Sequence, residues 1–208
     1  MVRVLSWNCR GAGRPKFLAE LRQLISLHRP HIILILETRI NDVRADHLTS
    51  QIPLKGRLIS PAMGRAGGLW LLWNADAVKI HSASVFSRMI TAEVSAADPE
   101  AEDFLLTGLY NFPSPSQQNQ LFDVPTFGPK FTFSNRHTDA TYCRSRIDRA
   151  LVNSNWLNAF PYTNVKVLVS GGSDHLPLLL NTKSGHVSKP SFFKFENAWT
   201  LSPDYVQN

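Results

Sequence analysis

Gly172-Ser173-Asp174-His175-Leu176-Pro177 runs straight into the apolar stretch Leu176 to Leu180, so a small-residue turn sets a carboxylate beside an imidazole at the mouth of a buried strand. A hydrolytic metal site would put a ligand and an acid at such a strand end. Taken alone, the same residues read as a polar Ser-Asp turn with His175 packed or solvated. The rest of the chain decides between the two.

Working outward, a chain of 208 residues with 43% hydrophobic content can bury one sizeable core, and a single domain is expected over residues 1–182. Residues 183–208 are low in apolar content up to Pro190, and Phe192, Phe193, Phe195 and Trp199 have too little chain to fold on. They read as a poorly ordered linker fragment. The 22 Lys+Arg against 16 Asp+Glu give a formal charge of +6, which favours polyanionic partners. Cys9 and Cys143 are too few and too far apart for a zinc site or a disulfide framework. Both read as small, partly buried side chains in a reducing compartment. With no signal-type start and no apolar stretch of spanning length, a soluble, intracellular protein without a membrane partner is expected.

Strand-forming Val2 to Trp7 places Asn8 at a strand tip, and Pro15 to His28 carries apolar residues at helical spacing. The Gly-x-Gly between them lacks the third glycine and the later acid of a dinucleotide fingerprint. His31 to Leu36 is an apolar run short enough for a strand buried on both faces. Glu37 ends it, as either a metal ligand or an exposed strand end, because a carboxylate there is costly unless a cation receives it.

Asn41 to Gln51 reads as one short helix, Gly64 to Gly68 as a turn, and Leu69 to Trp73 as a strand whose Trp70 and Trp73 are packing residues. Val78 to His81, Met89 to Ser95 and Phe104 to Tyr110 read as further strands joined by hairpins, with Tyr110 closing the last. Lys130 to Ser134 alternates like a strand, Asn155 to Phe160 reads as a helical turn, and Val165 to Val169 as a strand. Asp148 between Arg146 and Arg149 reads, alone, as a surface ion pair. Short strands punctuated by helices, with polar residues gathered at strand ends, argue for a layered α/β domain with its site along one rim.

Trp7-Asn8, Glu37-Thr38, Tyr110, Arg146-Ile147-Asp148 and Ser173-Asp174-His175, in that order, resemble the endonuclease/exonuclease/phosphatase superfamily. Ser6 to Gly11, Gly67-Gly68-Leu69-Trp70, Phe131 to Asn135 and Leu151 to Trp156 are more similar still to the endonuclease domain of plant LINE-type non-LTR retrotransposon polyproteins. Phe192 to Trp199 resembles the segment joining that domain to a reverse transcriptase, which this chain lacks. The resemblance covers nearly the whole chain.

What it implies is a four-layer α-β-β-α sandwich of the deoxyribonuclease I type that hydrolyses phosphodiester bonds in DNA, in the nucleus, as a divalent-metal-dependent endonuclease. Glu37 and Asp174 would hold Mg2+, for which Mn2+ could substitute on the same oxygen ligands. Asn8 would complete the shell, Tyr110 would hydrogen-bond a phosphate oxygen, and His175, held by Asp148, would supply electrostatic stabilisation or a proton. Arg146, Arg10 and nearby lysines would steer the DNA backbone.

One departure matters. Between Tyr110 and the Phe131 strand the family carries an apolar strand ending in Gly-Asp-Phe-Asn, then a helix, and nothing here matches it. The gap falls near 120–122, so the sandwich is expected to be incomplete, lacking a central strand and its helix. The missing aspartate is the family's water-activating base, and losing a positioned base typically costs roughly a hundred- to ten-thousand-fold in rate. Asp123 does not replace it, because Gln117 to Gln120 is no buried strand that could aim it. Two rival readings stand beside an impaired endonuclease: a catalytically inactive nucleic-acid-binding remnant, and a phosphatase acting on a soluble phosphate ester.

Overall fold

The computed structural model describes residues 1–64, 66–110, 121–169 and 172–182. Its centre is a mixed sheet built on two strands that are buried on both faces, β1 (Arg3–Asn8) and β2 (Ile32–Leu36), which pair in parallel. A parallel pair needs a crossover, and α1 (Phe17–His28) supplies it. Pro15 lies in the turn ahead of the helix rather than inside it, because the backbone N–H of Phe17 closes a turn on the Arg14 carbonyl (3.1 Å). Arg29, with a φ of 44°, ends the helix ahead of Pro30.

Next come α2 (Asp42–Thr49), started by an Asn41 side chain that accepts from the Arg44 N–H, β3 (Gly56–Met63) and β4 (Ala66–Trp73). β3 was not legible in the sequence. It is an edge strand interrupted by Pro61, which has no N–H to donate, and the buried run of β4 gives it a partner. Near the end of the chain, β13 (Asn164–Val167) and β14 (Leu178–Asn181) add on the other side of β1, and the two-residue β9 (Thr126–Phe127) pairs with β13. The seven-stranded order is β3-β4-β2-β1-β14-β13-β9.

Each face of this sheet is covered by a different layer. One face lays Leu5, Trp7, Ile33, Ile35, Trp70 and Leu72 against Phe17, Leu21 and Leu24 of α1 and Ala45 of α2. Phe17 stacks on Trp7 and meets Trp70 edge-on, with ring centroids 5.8 and 5.9 Å apart. Trp70 is fully buried, so it packs as the sequence suggested.

The opposite face lays Val4, Ile32, Leu34, Leu69 and Leu71 against an antiparallel meander of β5 (Val78–Phe86), β6 (Met89–Ala96) and β7 (Phe104–Leu109). β5 runs five residues past its expected end at His81. Ser82, Ala83 and Ser84 carry no apolar alternation, and the strand lies exposed at the edge of its sheet.

Farther along the same face, β12 (Leu151–Val152), paired with β8 (Phe122–Asp123), packs Val152 and Val124 on Val165, Val167 and Leu178, followed by α3 (Ser154–Ala159). Leu180 touches both patches. Of the expected strand Lys130 to Ser134, only β10 (Phe133–Ser134) pairs, with β11 (Arg144–Ser145).

Helices, a broad sheet and a second β layer thus account for three of the four expected layers, and the architecture is the mixed α/β one expected. Among the described residues, the strands outside the seven-stranded sheet form a three-stranded meander and two two-stranded pairs. Leu105, Thr107 and Glu93, on the outer face of the meander, are exposed, and among the described residues no helix covers them. Residues 111–120, just ahead of the expected gap, and the expected linker 183–208 lie outside the described residues. Cys9 is fully buried, and burial pushes its thiol up to about 12, so it stays neutral. Cys143, expected to be partly buried, is instead exposed in the β10–β11 loop. No helix among the described residues is long and apolar enough to cross a membrane.

Candidate active site

The topology brings three chain ends together. β1 and β2 are parallel with Asn8 opposite Leu36, so Asn8 and Glu37 leave the sheet at the same edge. β14 is antiparallel to β1 with Leu178 opposite Ser6, so the residues just before it, Ser173 to His175, arrive there too.

Local chemistry then fixes each side chain. The Asn8 carboxamide oxygen accepts from the Arg10 N–H (3.1 Å), and this Asx-type turn carries Arg10 into a left-handed φ of 50°. The loop is zipped to the one after β2 by Cys9 N–H to Leu36 O (3.0 Å) and Gly11 N–H to Glu37 O (2.9 Å). Thr38 and Arg39 donate their N–H groups to the carbonyls of Gly68 and Gly67 (3.1 and 3.0 Å). That stitch requires Gly68, at a φ of +84°, where a Cβ would run into the Thr38 hydroxyl.

The Ser173-Asp174-His175 turn is held in the same way. The Ser173 hydroxyl donates to Asn8 O (2.8 Å) and accepts from the His175 N–H (3.1 Å), while the Trp7 indole N–H reaches His175 O (3.3 Å). Thr132, fully buried, takes the N–H groups of Ile147 and Asp148 on its hydroxyl (3.2 and 3.1 Å) and so aims Asp148. The His175 Nδ1 lies 3.0 Å from both Asp148 carboxylate oxygens, and the Phe133 ring tilts against the imidazole with centroids 4.9 Å apart. With Nδ1 engaged, Nε2 is the ring position left for the cleft that His175 lines.

That cleft, of about 410 Å³, is lined by Asn8, Arg10, Glu37, Tyr110, Asp148, Arg149 and His175 among others. Six of the eight residues expected to form a site, Asn8, Arg10, Glu37, Tyr110, Asp148 and His175, therefore line one cleft. Asp174 stands at its margin, lining the neighbouring cavity and joined to the cleft through an ion pair with Arg10. Its carboxylate holds the Arg10 guanidinium further above its ordinary pKa. Arg146 points elsewhere: its Nη2 binds Asp123 of β8 (3.1 and 3.2 Å) and the Thr126 hydroxyl of β9 (2.8 Å), neither of which lines the cleft. Asp123 is thereby engaged by Arg146 and Arg149 and does not line the cleft.

Glu37 is only 7% exposed, and a carboxylate so buried is tolerable only with cations on it. Arg39 provides one, with Nε 3.1 Å from Oε1 and Nη2 on the same oxygen, and Arg10 stands behind it with Nε at 3.9 Å. Arg39, Arg149 and Thr132 are site residues that sequence reading did not pick out. Arg39 had a usable signal, since a carboxylate ending a doubly buried strand demands a nearby cation. Thr132 had none, because its role is to accept two N–H groups from a segment 15 residues away. Among the described residues, no three His, Cys, Asp or Glu side chains gather closely enough to hold a metal by themselves.

Comparison with known proteins bears on the fold and the family. The Endonuclease/Exonuclease/phosphatase family profile matches residues 5–175, from β1 to His175. No curated protein matches by sequence. Among solved structures, the AP endonuclease LMAP from Leishmania major superposes with a TM-score of 0.63 at 14% identity, covering 86% of each chain. The endonuclease domain of TRAS1, a telomere-specific non-LTR retrotransposon, gives 0.59 at 15%, covering 87% of this chain and 98% of its own. D. rerio TDP2, complexed with a single-strand DNA product, gives 0.58 at 13%, covering 86% and 97%. The profile match spans most of the chain and ends on the imidazole that faces the cleft; the chain belongs to the Endonuclease/Exonuclease/phosphatase family.

Proposed function

We propose that this chain is a divalent-metal-dependent endonuclease of retrotransposon type that hydrolyses phosphodiester bonds in DNA, at a rate lowered by the loss of the family's aspartate base. The observation that carries the reading is the His175–Asp148 pair opening into the same cleft as the buried Glu37 carboxylate and Asn8. Retrotransposon origin is supported by the residues quoted around Trp7-Asn8, Gly67-Gly68 and Phe131 to Asn135, and a nuclear site of action goes with it.

The donor set fits a hard divalent cation. Glu37, the Asn8 carboxamide and Asp174 offer only oxygen, and magnesium characteristically takes one or two carboxylates and keeps several waters, so the lack of a three-carboxylate cluster is no obstacle. Family members generally depend on a divalent metal. A bound Mg2+ or Mn2+ would neutralise charge developing on the scissile phosphate and the leaving oxygen.

The chain's own residues do the rest. Tyr110 offers a phenol O–H to a phosphate oxygen, and Arg10 and Arg149, which also line the cleft but are paired with Asp174 and Asp123, add positive charge to it. Asp148 fixes the imidazole through Nδ1, so Nε2 is held where a proton can pass to or from the phosphate and the attacking water. In the reaction a water oxygen bonds to phosphorus, one phosphorus–oxygen ester bond breaks, and the water's proton must find an acceptor.

The slowness follows from the carboxylates at hand. Of the acids lining the cleft, Glu37 is held by Arg39 and Asp148 by His175, and the described lining offers no further carboxylate to take the water's proton. That same observation favours the second reading, a nucleic-acid-binding remnant. Nicking of supercoiled plasmid with Mg2+ separates the two: the native chain nicks above the rate of a His175→Ala variant if the cleft is catalytic. Equal nicking by both removes the enzyme.

A further inference from the structure

Arg10 occupies an unusual place for a residue that would greet DNA. Its side chain is 44% exposed, yet its head lies between two carboxylates, with Nη1 on Asp174 Oδ2 and Nε 3.9 Å from Glu37 Oε1. The Asx-type turn at Asn8 and the left-handed φ of 50° set the base of the side chain, from which its head reaches both carboxylates. These are the two carboxylates that the reading above gives to a divalent cation.

We infer that Arg10 is an exchange cation: it holds the Glu37 and Asp174 carboxylates, competes with the divalent metal for them, and on displacement moves its guanidinium to the phosphate of bound DNA. The inference rests on the proposed metal role of Glu37. Its physics is short. A guanidinium has five donors, no acceptor and no way to shed its charge in the working range, so no change of its own protonation releases the carboxylates, whereas a second cation bound to them competes with it directly. Two cations cannot share the same few oxygens without repulsion.

Arg39 grips Glu37 without touching Asp174, so Glu37 keeps one partner when Arg10 departs. The half-exposed Arg10 head has solvent to swing through and already lines the cleft in which a phosphate would sit. A planar fork suits two phosphate oxygens as well as it suits a carboxylate. Metal and DNA therefore bind with positive coupling, each helping to pay for the release that the other uses.

The test is Mn2+ titration of the full chain without DNA, by calorimetry, for the native protein, Arg10→Gln, Arg10→Lys and Glu37→Gln. Arg10→Gln is expected to tighten Mn2+ binding about tenfold, the equivalent of roughly 1.4 kcal/mol of competition removed. Arg10→Lys, whose single ammonium cannot fork across both carboxylates, is expected to fall between the two, and it decides the matter if Arg10→Gln does not fold. In a second measurement, Ca2+ is expected to strengthen binding of a duplex oligonucleotide to the native chain more than to Arg10→Gln.

Unchanged or weaker Mn2+ binding in both Arg10 variants, with binding lost in Glu37→Gln, overturns the exchange and leaves the metal reading standing. Mn2+ binding as tight in Glu37→Gln as in the native chain overturns both.

Discussion

At the scale of single residues, the site depends on pairs rather than on isolated groups. His175 is oriented by Asp148 at Nδ1 and by the Phe133 ring against its face, and Thr132 gathers the N–H groups of the segment that carries Asp148. Residues that act as one unit do not add when removed. His175→Ala and Asp148→Asn are therefore each expected to lower the nicking rate by roughly a hundredfold, and the double variant by no more than the worse single. Single-turnover nicking of plasmid measures all three, and a double variant slower by the product of the two effects shows that the residues work separately.

This pairing also shows where sequence reading stops. Trp7-Asn8, Glu37 and Ser173-Asp174-His175 were legible because each follows or precedes a strand whose apolar pattern fixes its position. Thr132 was not, since its partners come from a segment remote in sequence.

At the scale of elements, two-sided burial made β1, β2 and β4 readable, and their ends are where the cleft lies. β3 and β5 lie at sheet edges, where exposed and small residues satisfy the backbone without leaving an apolar pattern, so tertiary pairing had to supply what local sequence withheld. The least obvious element is the Gly67-Gly68 start of β4, which accepts the N–H groups of Arg39 and Thr38 and so shapes the loop that carries Glu37. A side chain at Gly68 meets both an unfavourable φ and the Thr38 hydroxyl. Gly68→Ala is expected to cost about 1–3 kcal/mol of stability, read from the urea midpoint, and to weaken Mn2+ binding through Glu37. A midpoint and a Mn2+ affinity like the native ones contradict that role.

At the scale of the whole molecule, the described residues form one seven-stranded sheet with α1 and α2 on one face and a three-stranded meander and two-stranded pairs outside it. The gap expected near 120–122 comes from the sequence, and the proposed loss of rate rests on it: of the carboxylates in the described lining of the cleft, Glu37 is held by Arg39 and Asp148 by His175. Restoring an apolar strand ending in Gly-Asp-Phe-Asn, with its helix, between Gln120 and Leu121 is therefore expected to raise nicking by roughly a hundred- to ten-thousand-fold. No change in rate, with the chain folded, shows that the present cleft already has its base.

The measurement that bears most directly on the cleft as a metal-dependent hydrolytic site is plasmid nicking as a function of Mg2+ concentration, for the native chain and for Glu37→Gln. The native rate is expected to rise with Mg2+, to vanish with chelator, and to need far more Mg2+ in the variant, whose neutral amide no longer offers a charged oxygen. Nicking that persists in chelator, or that follows one Mg2+ curve in both proteins, contradicts the account.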